Sequence, residues 1–198
     1  MPWFDPTEAG IDAQILLLLE APGRRAALER GSGFVSCDND DQTAANLWHL
    51  LRESGIDRRS ELATWNVIPW YLGDGTKIRP TRTADLEEAR EATLELLRLL
   101  GRVRVVVLLG RAASKAWAAL GIKGSAIEAS HPSPLNLNTN PHRRDEILSA
   151  LNKAKASAAK AGDGGELLSM DLPYLLSGYG ADADDSTSDR ILGDKMDG

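Results

Sequence analysis

The chain has 198 residues, enough for one domain plus an appendage with a sizeable core. No apolar run approaches the ~20 residues of a membrane span, and the lone cysteine, Cys37, excludes an intrachain disulfide and a thiolate-only metal or iron–sulfur site within one chain. The net charge of -6 is uneven: from residue 163 onward nine acids face only Arg190 and Lys195, a tail of -7 that leaves residues 1–162 at +1. Whole-chain charge therefore does not exclude nucleic acid as a partner of the body. The opening residues, Met1-Pro2-Trp3-Phe4-Asp5, lack the basic start and apolar stretch of a signal peptide. A reducing, cytoplasmic location is expected.

In chain order, Ile15 to Leu19 is an apolar run ended by Glu20-Ala21-Pro22-Gly23, which fits a strand buried on both faces. Residues 24–30 have room for one helical turn, and Gly31 to Val35 reads as a loop containing Phe34. Asp38-Asn39-Asp40-Asp41 supplies helix-capping side chains for a helix over 42–54 that Gly55 stops. Ala63 to Ile68 is rich in strand formers and ends at Pro69. A long loop over 70–83 holds Arg79-Pro80-Thr81. Residues 85–100 carry Leu86, Ala89, Leu94, Leu97 and Leu100 on one helical stripe closed by Gly101. Val103 to Leu109 is a third strand, Gly110-Arg111 opens a helix over 112–120, and 125–130 is a short fourth strand. A last helix covers 143–161.

Strands alternating with helices predict an α/β fold: a three-layer α/β/α sandwich around a central, mainly parallel four-stranded sheet, built from residues 1–162. Residues 163–198 are expected to form an acidic C-terminal tail, disordered over 181–198, with the leucines of 166–179 packing on the body.

Ser130-His131-Pro132-Ser133-Pro134-Leu135-Asn136 follows the fourth strand. Its two prolines fix the backbone on either side of Ser133 and predict a stiff loop, neither helix nor ladder, with an imidazole at its start and an exposed leucine near its tip. In open parallel sheets, ligands bind beyond the carboxyl ends of the strands. Glu20, Asn66, Gly110-Arg111 and His131 all fall at such ends. Each has a plainer reading: a solvated turn for Glu20, a structural or solvated imidazole for His131, core packing for Phe34. Asn66 is either tied to neighbouring backbone or reserved for a ligand, because an unpaired buried amide costs about 1–3 kcal/mol. Together Asn66, Phe34 and His131 suit a planar heterocycle: an amide that donates and accepts, a ring face to stack on, and an imidazole aimed at a carbonyl oxygen that becomes negative. A nucleotide or phosphate site at Gly110-Arg111 is a weaker reading, since no glycine-rich phosphate motif accompanies it.

Glu20-Ala21-Pro22-Gly23, Gly33-Phe34-Val35, Asn66-Val67 and His131-Pro132-Ser133-Pro134-Leu135-Asn136 resemble, in order and spacing, the uracil-DNA glycosylase superfamily, most of all its family-four branch. Arg79-Pro80-Thr81 and Leu108-Leu109-Gly110-Arg111 also resemble linking stretches of that branch, and the likeness covers about residues 13–160. The resemblance implies a glycosylase that hydrolyses the N-glycosidic bond of uracil, or a related deaminated base, in DNA for base excision repair. It implies that His131 and Glu20 are catalytic and that Asn66, Phe34 and Ala21 contact the base. It also implies that Ser133, Pro134 and Leu135 grip phosphate and enter the duplex. Arg24, Arg25, Arg143 and Arg144 are the expected phosphate contacts, with Lys153 and Lys155 as weaker candidates. The expected partner is DNA bearing a deaminated base, acted on by a monomer with no membrane association. No cofactor or metal is expected: family-four enzymes carry a four-cysteine iron–sulfur cluster and this chain has one cysteine. Two positions depart from the pattern. Leu19 stands where that branch usually has glycine, and Ala21 stands where the best-known branch has aspartate. A catalytically weak or inactive module that binds DNA or uracil is the alternative.

Overall fold

A computed structural model describes residues 1–27, 31–74, 76–121 and 126–160. The expected tail, 163–198, lies outside the described residues. Four parallel strands form the central sheet: β2 (Ile15–Leu19), β4 (Leu62–Asn66), β5 (Val105–Leu109) and β6 (Ala126–Ala129), in the order β4-β2-β5-β6. The central sheet starts at an inner strand, β2, and winds outward both ways, so the sequence expectation of a parallel α/β sheet is met.

The strands are apolar because both faces are covered. On one face Leu16, Leu18, Ala63, Trp65, Val106 and Leu108 pack with residues of α3 (Thr83–Leu99) and α4 (Arg111–Ala119). On the other, Ile15, Leu17, Leu62, Val105, Val107 and Leu109 meet α1 (Gln42–Ser54) and α6 (His142–Lys160). Leu17 has no exposed surface, and truncating such a side chain to alanine costs about 2–5 kcal/mol. Two shorter α-helices among the described residues are α2 (Arg58–Glu61) and α5 (Pro134–Thr139).

Helix ends follow the side chains that cap them. Asp41 accepts from Ala44 N at 2.9 Å and starts α1, and Gly55, at φ +67°, stops it. Asp85 accepts from Arg82 N at 2.7 Å at the start of α3 and also takes both guanidinium nitrogens of Arg79, at 2.6 Å each. These donors hold the Asp85 carboxyl at about 2.

Three sequence expectations need correction. The proline stretch does not remain a loop: Pro134 begins α5, where its fixed φ suits the first helical position and its missing N–H is not needed. Ser133 caps that helix, accepting from Asn136 N at 3.4 Å. The loop read over Gly31 to Val35 holds a strand at Phe34–Val35, paired with an N-terminal segment that no periodicity announced. Strands β1 (Trp3–Phe4) and β3 (Phe34–Val35) pair in parallel, placing Trp3 beside Phe34. Phe4 stacks on Trp65 at 4.1 Å between ring centroids. Finally, the second strand ends at Asn66 rather than Ile68, although Val67 N and Ile68 N still bond to Leu19 O and Glu20 O, both at 2.9 Å.

Candidate functional site

A cavity of about 600 Å³ opens at the carboxyl ends of β2 and β4 and receives His131 from beyond β6. Its walls include Leu19, Glu20, Ala21, Asn66 and His131, so four of the five expected catalytic and base-contacting residues converge there. Register explains the meeting of the first pair. Leu19 is the ladder partner of Asn66, and the backbone bonds just beyond it keep Glu20 beside Val67 and Ile68.

Asn66 is 3% exposed and carries the clearest signal of the site. Its side-chain amide has no hydrogen-bond partner among the described residues, yet neither amide atom counts among the sealed, unpartnered polar atoms. The amide therefore opens into the cavity, with one acceptor and one donor group free for a ligand edge. Of the two sequence readings, backbone tether and ligand contact, the tether is not present.

His131 reaches the cavity because Gly110 lets it. At φ +102°, Gly110 ends β5, donates from its N–H to Ala129 O at 2.8 Å, and lies against the His131 side chain. The stretch after His131 is braced from two helices. Asn46 of α1 donates to Pro132 O at 2.9 Å, and Asn136 donates to His131 O at 3.1 Å. Burial lowers the imidazole pKa below 6.5, while the Glu20 and Asp41 carboxylates facing it oppose that shift. Burial thus favours the neutral ring, which carries one N–H to donate.

Glu20 is half-buried, and its Oε1 accepts a hydrogen bond from the Thr81 hydroxyl. Thr81 was legible only as part of Arg79-Pro80-Thr81; nothing local pairs it with residue 20. Asp41 and Asn39 just before α1, and Ile78, Arg79 and Pro80 of the long loop, also line the cavity, none of them an expected site residue. Helix-capping composition was the only signal for the first two.

Phe34 is not brought in. It is 36% exposed on the small sheet, and its neighbour Val35 lines the cavity in its place. No Phe, Tyr or Trp lines the cavity among the described residues.

The expected phosphate contacts divide. Arg24 and Arg25 are exposed and line the cavity. Arg143 instead donates to Asn136 Oδ1 at 2.6 Å, and Arg144 forms a two-pronged ion pair with Glu53. Lys155 donates to Gly55 O. Leu135 is 75% exposed on α5, next to Ser133 and Pro134.

Cys37 is 4% exposed, and burial pushes its thiol up to about 12. One buried, protonated thiol does not fit an iron–sulfur cluster, which needs several thiolates. Among the described residues, no group of three or more His, Cys, Asp or Glu is placed to hold a metal ion, and no helix is long and apolar enough to cross a membrane.

Comparison with known proteins places this geometry in context. The family model described as "Uracil DNA glycosylase superfamily" matches residues 6–155. A search of the curated proteins found no match. Among solved structures, the chain is similar to a solution NMR structure of a "putative Uracil DNA glycosylase" from Methanosarcina acetivorans. Identity is 14%, the alignment covers 77% of this chain and 98% of that one, and the TM-score is 0.48.

Proposed function

Because this chain belongs to the uracil DNA glycosylase superfamily, we propose that it is a monofunctional DNA glycosylase, hydrolysing the N-glycosidic bond of uracil or a related deaminated base. The observation that carries this reading is the Asn66 amide, buried, unpartnered and turned into the cavity that His131 and Glu20 share. A donor–acceptor group in that state suits the imide edge of a flipped base and has no structural task of its own.

The chemistry follows from the same side chains. A base inside a duplex must first leave the stack, at a cost of a few kcal/mol. Leu135, held rigidly on α5 with three-quarters of its surface exposed, is suited to fill the gap. As the N-glycosidic bond breaks, its electron pair moves onto the base while the sugar becomes oxocarbenium-like. Neutral His131 then donates to the carbonyl oxygen where charge develops, which stabilises the transition state more than the bound substrate. Water adds to the sugar carbon and gives up a proton to Glu20, and the departing base anion takes up a proton in turn. Arg25 and Arg24 flank the entrance and suit the phosphates of the extruded nucleotide. The protein acts as a monomer on DNA in the cytoplasm.

A second reading rests on the wall beside Asn66. Leu19, not glycine, lines the cavity and packs against the core beneath it, and Ala21 supplies no carboxylate for water. A module that binds the base without cleaving it fits these two positions.

Oligonucleotides carrying one deoxyuridine, deoxyinosine or deoxyxanthosine separate the readings. Excision predicts free base and alkali-labile sites with at least one of them, lost in His131→Ala and Asn66→Ala. Tight binding without release of any base would favour the module.

A further inference from the structure

We propose that Thr81 is a positioning residue for Glu20, fixing which carboxylate oxygen faces the attacking water. The inference rests on the excision reading above and assigns a role to a residue outside the motifs that suggested it.

A glutamate just past a strand has three rotatable side-chain bonds, and a half-buried one keeps much of that freedom. Here Oε1 is occupied by the Thr81 hydroxyl, and Oε2 has no hydrogen-bond partner among the described residues. The donor is itself anchored. Two residues before it, Arg79 N donates to Leu72 O at 2.9 Å, and the Arg79 guanidinium grips both oxygens of Asp85. One residue after it, Arg82 N donates to the same Asp85 carboxylate. Thr81 is therefore suspended between two residues tied to the start of α3, and it passes that rigidity to Glu20. A hydroxyl has one proton to give. Spending it on Oε1 leaves Oε2 as the acceptor for water.

Glu20 has reason to need the help. Ala21 offers no carboxylate, and Asp41, the other carboxylate lining the cavity, caps α1 through Ala44 N, so the aim of the attacking water falls to one flexible side chain. Holding a reacting group in its productive orientation is among the larger sources of rate enhancement. Valine matches threonine in shape and keeps its packing while deleting the donor, and serine keeps the donor while deleting a methyl group.

The test is single-turnover release of base from a deoxyuridine oligonucleotide by the full chain, comparing wild type, Thr81→Val, Thr81→Ser, Glu20→Gln and the Thr81→Val/Glu20→Gln pair. Loss of a charge-assisted hydrogen bond predicts a rate about 10-fold lower for Thr81→Val, with DNA affinity unchanged. Thr81→Ser should stay within about 3-fold of wild type, since its hydroxyl restores the bond. In the Glu20→Gln background, Thr81→Val should have no further effect, because its role runs through Glu20. Full activity in Thr81→Val overturns the proposal alone, as does a loss that multiplies with Glu20→Gln, or one that Thr81→Ser shares. A wild-type chain that releases no base overturns the excision reading and this one with it. Should Thr81→Val fail to fold by circular dichroism, Thr81→Ala carries the same comparison.

Discussion

The Cβ of His131 lies so close to Gly110 that a methyl group built there would stand 3.0 Å from it. Gly110 also sits at φ +102°, a conformation that side-chain-bearing residues rarely adopt. Gly110→Ala therefore meets strain in the backbone and crowding at the imidazole together. The expected result is a stability loss of about 1–3 kcal/mol and displacement of the ring. Denaturant unfolding measures the first, and the imidazole resonances of His131 report the second. An alanine variant with wild-type stability and unmoved His131 signals would contradict the packing described.

Asn66→Ala separates structure from function at the base-reading position. No hydrogen bond is lost, because the amide makes none among the described residues, so the melting temperature should move by no more than about 3 °C. Base release should fall about 100-fold or more, since removing one well-aimed polar contact in a closed site typically costs that much. A large drop in stability would instead assign Asn66 to the fold.

Glu8 predicts a pH dependence of stability. It is 9% exposed, and its carboxylate takes Thr64 N at 2.7 Å and Thr64 Oγ1 at 2.9 Å. Burial pushes its pKa from 4.5 up to about 7, with the Thr64 donors and Arg58 opposing and Asp5 adding to the rise. Between those values the folded chain holds a proton that the unfolded chain releases, so this contribution to stability is present at pH 4.5 and lost as pH rises through 7. Its full size is about 3 kcal/mol. Asp5 acts elsewhere: burial opposes its ionisation, but donors from Ser36 and Thr7, and Arg58, hold it below 3.8, so its contribution is lost only in stronger acid. Urea midpoints of wild type and Glu8→Gln should therefore diverge between pH 5 and 8. Parallel curves would rule out a proton on Glu8 in that range.

The arginines predict unequal salt dependence. Arg25 is exposed at the cavity and makes no ion pair among the described residues, whereas Arg143 is half-buried and donates to Asn136. Replacing Arg25 with alanine should reduce the slope of log affinity against log salt by about 0.9, the value for one phosphate contact. Arg143→Ala should leave the slope nearly unchanged and slow base release instead, because Asn136 braces His131 O. Fluorescence-anisotropy titrations at four salt concentrations distinguish the pair, and equal slopes for both variants would place Arg143 at phosphate after all.

Much of the architecture is local information. Ile15 to Leu19 and Val105 to Leu109 are apolar on both faces because helices cover both, and that pattern is readable without coordinates. Asp41 and Gly55 mark the ends of α1 by their own side-chain chemistry. The small sheet that pairs Trp3 with Phe34 was not readable, because two-residue strands carry no periodicity. The proline stretch misled for a related reason. Proline forbids a helix interior but favours a helix start, and the Ser133 cap decides between them.

By itself, the sequence determined that Glu20, Asn66 and His131 lie at the carboxyl ends of their strands. Strand ends are set by short-range composition, and parallel strands put those ends on one edge. Only the tertiary structure decided what each side chain does there. The Asn66 amide stays open, Thr81 reaches Glu20 across 61 positions, Arg143 turns inward to Asn136, and Phe34 stays out of the cavity. Such choices depend on which distant side chain arrives within hydrogen-bonding range. That distance is fixed by the packing of whole layers, which no local stretch of residues encodes.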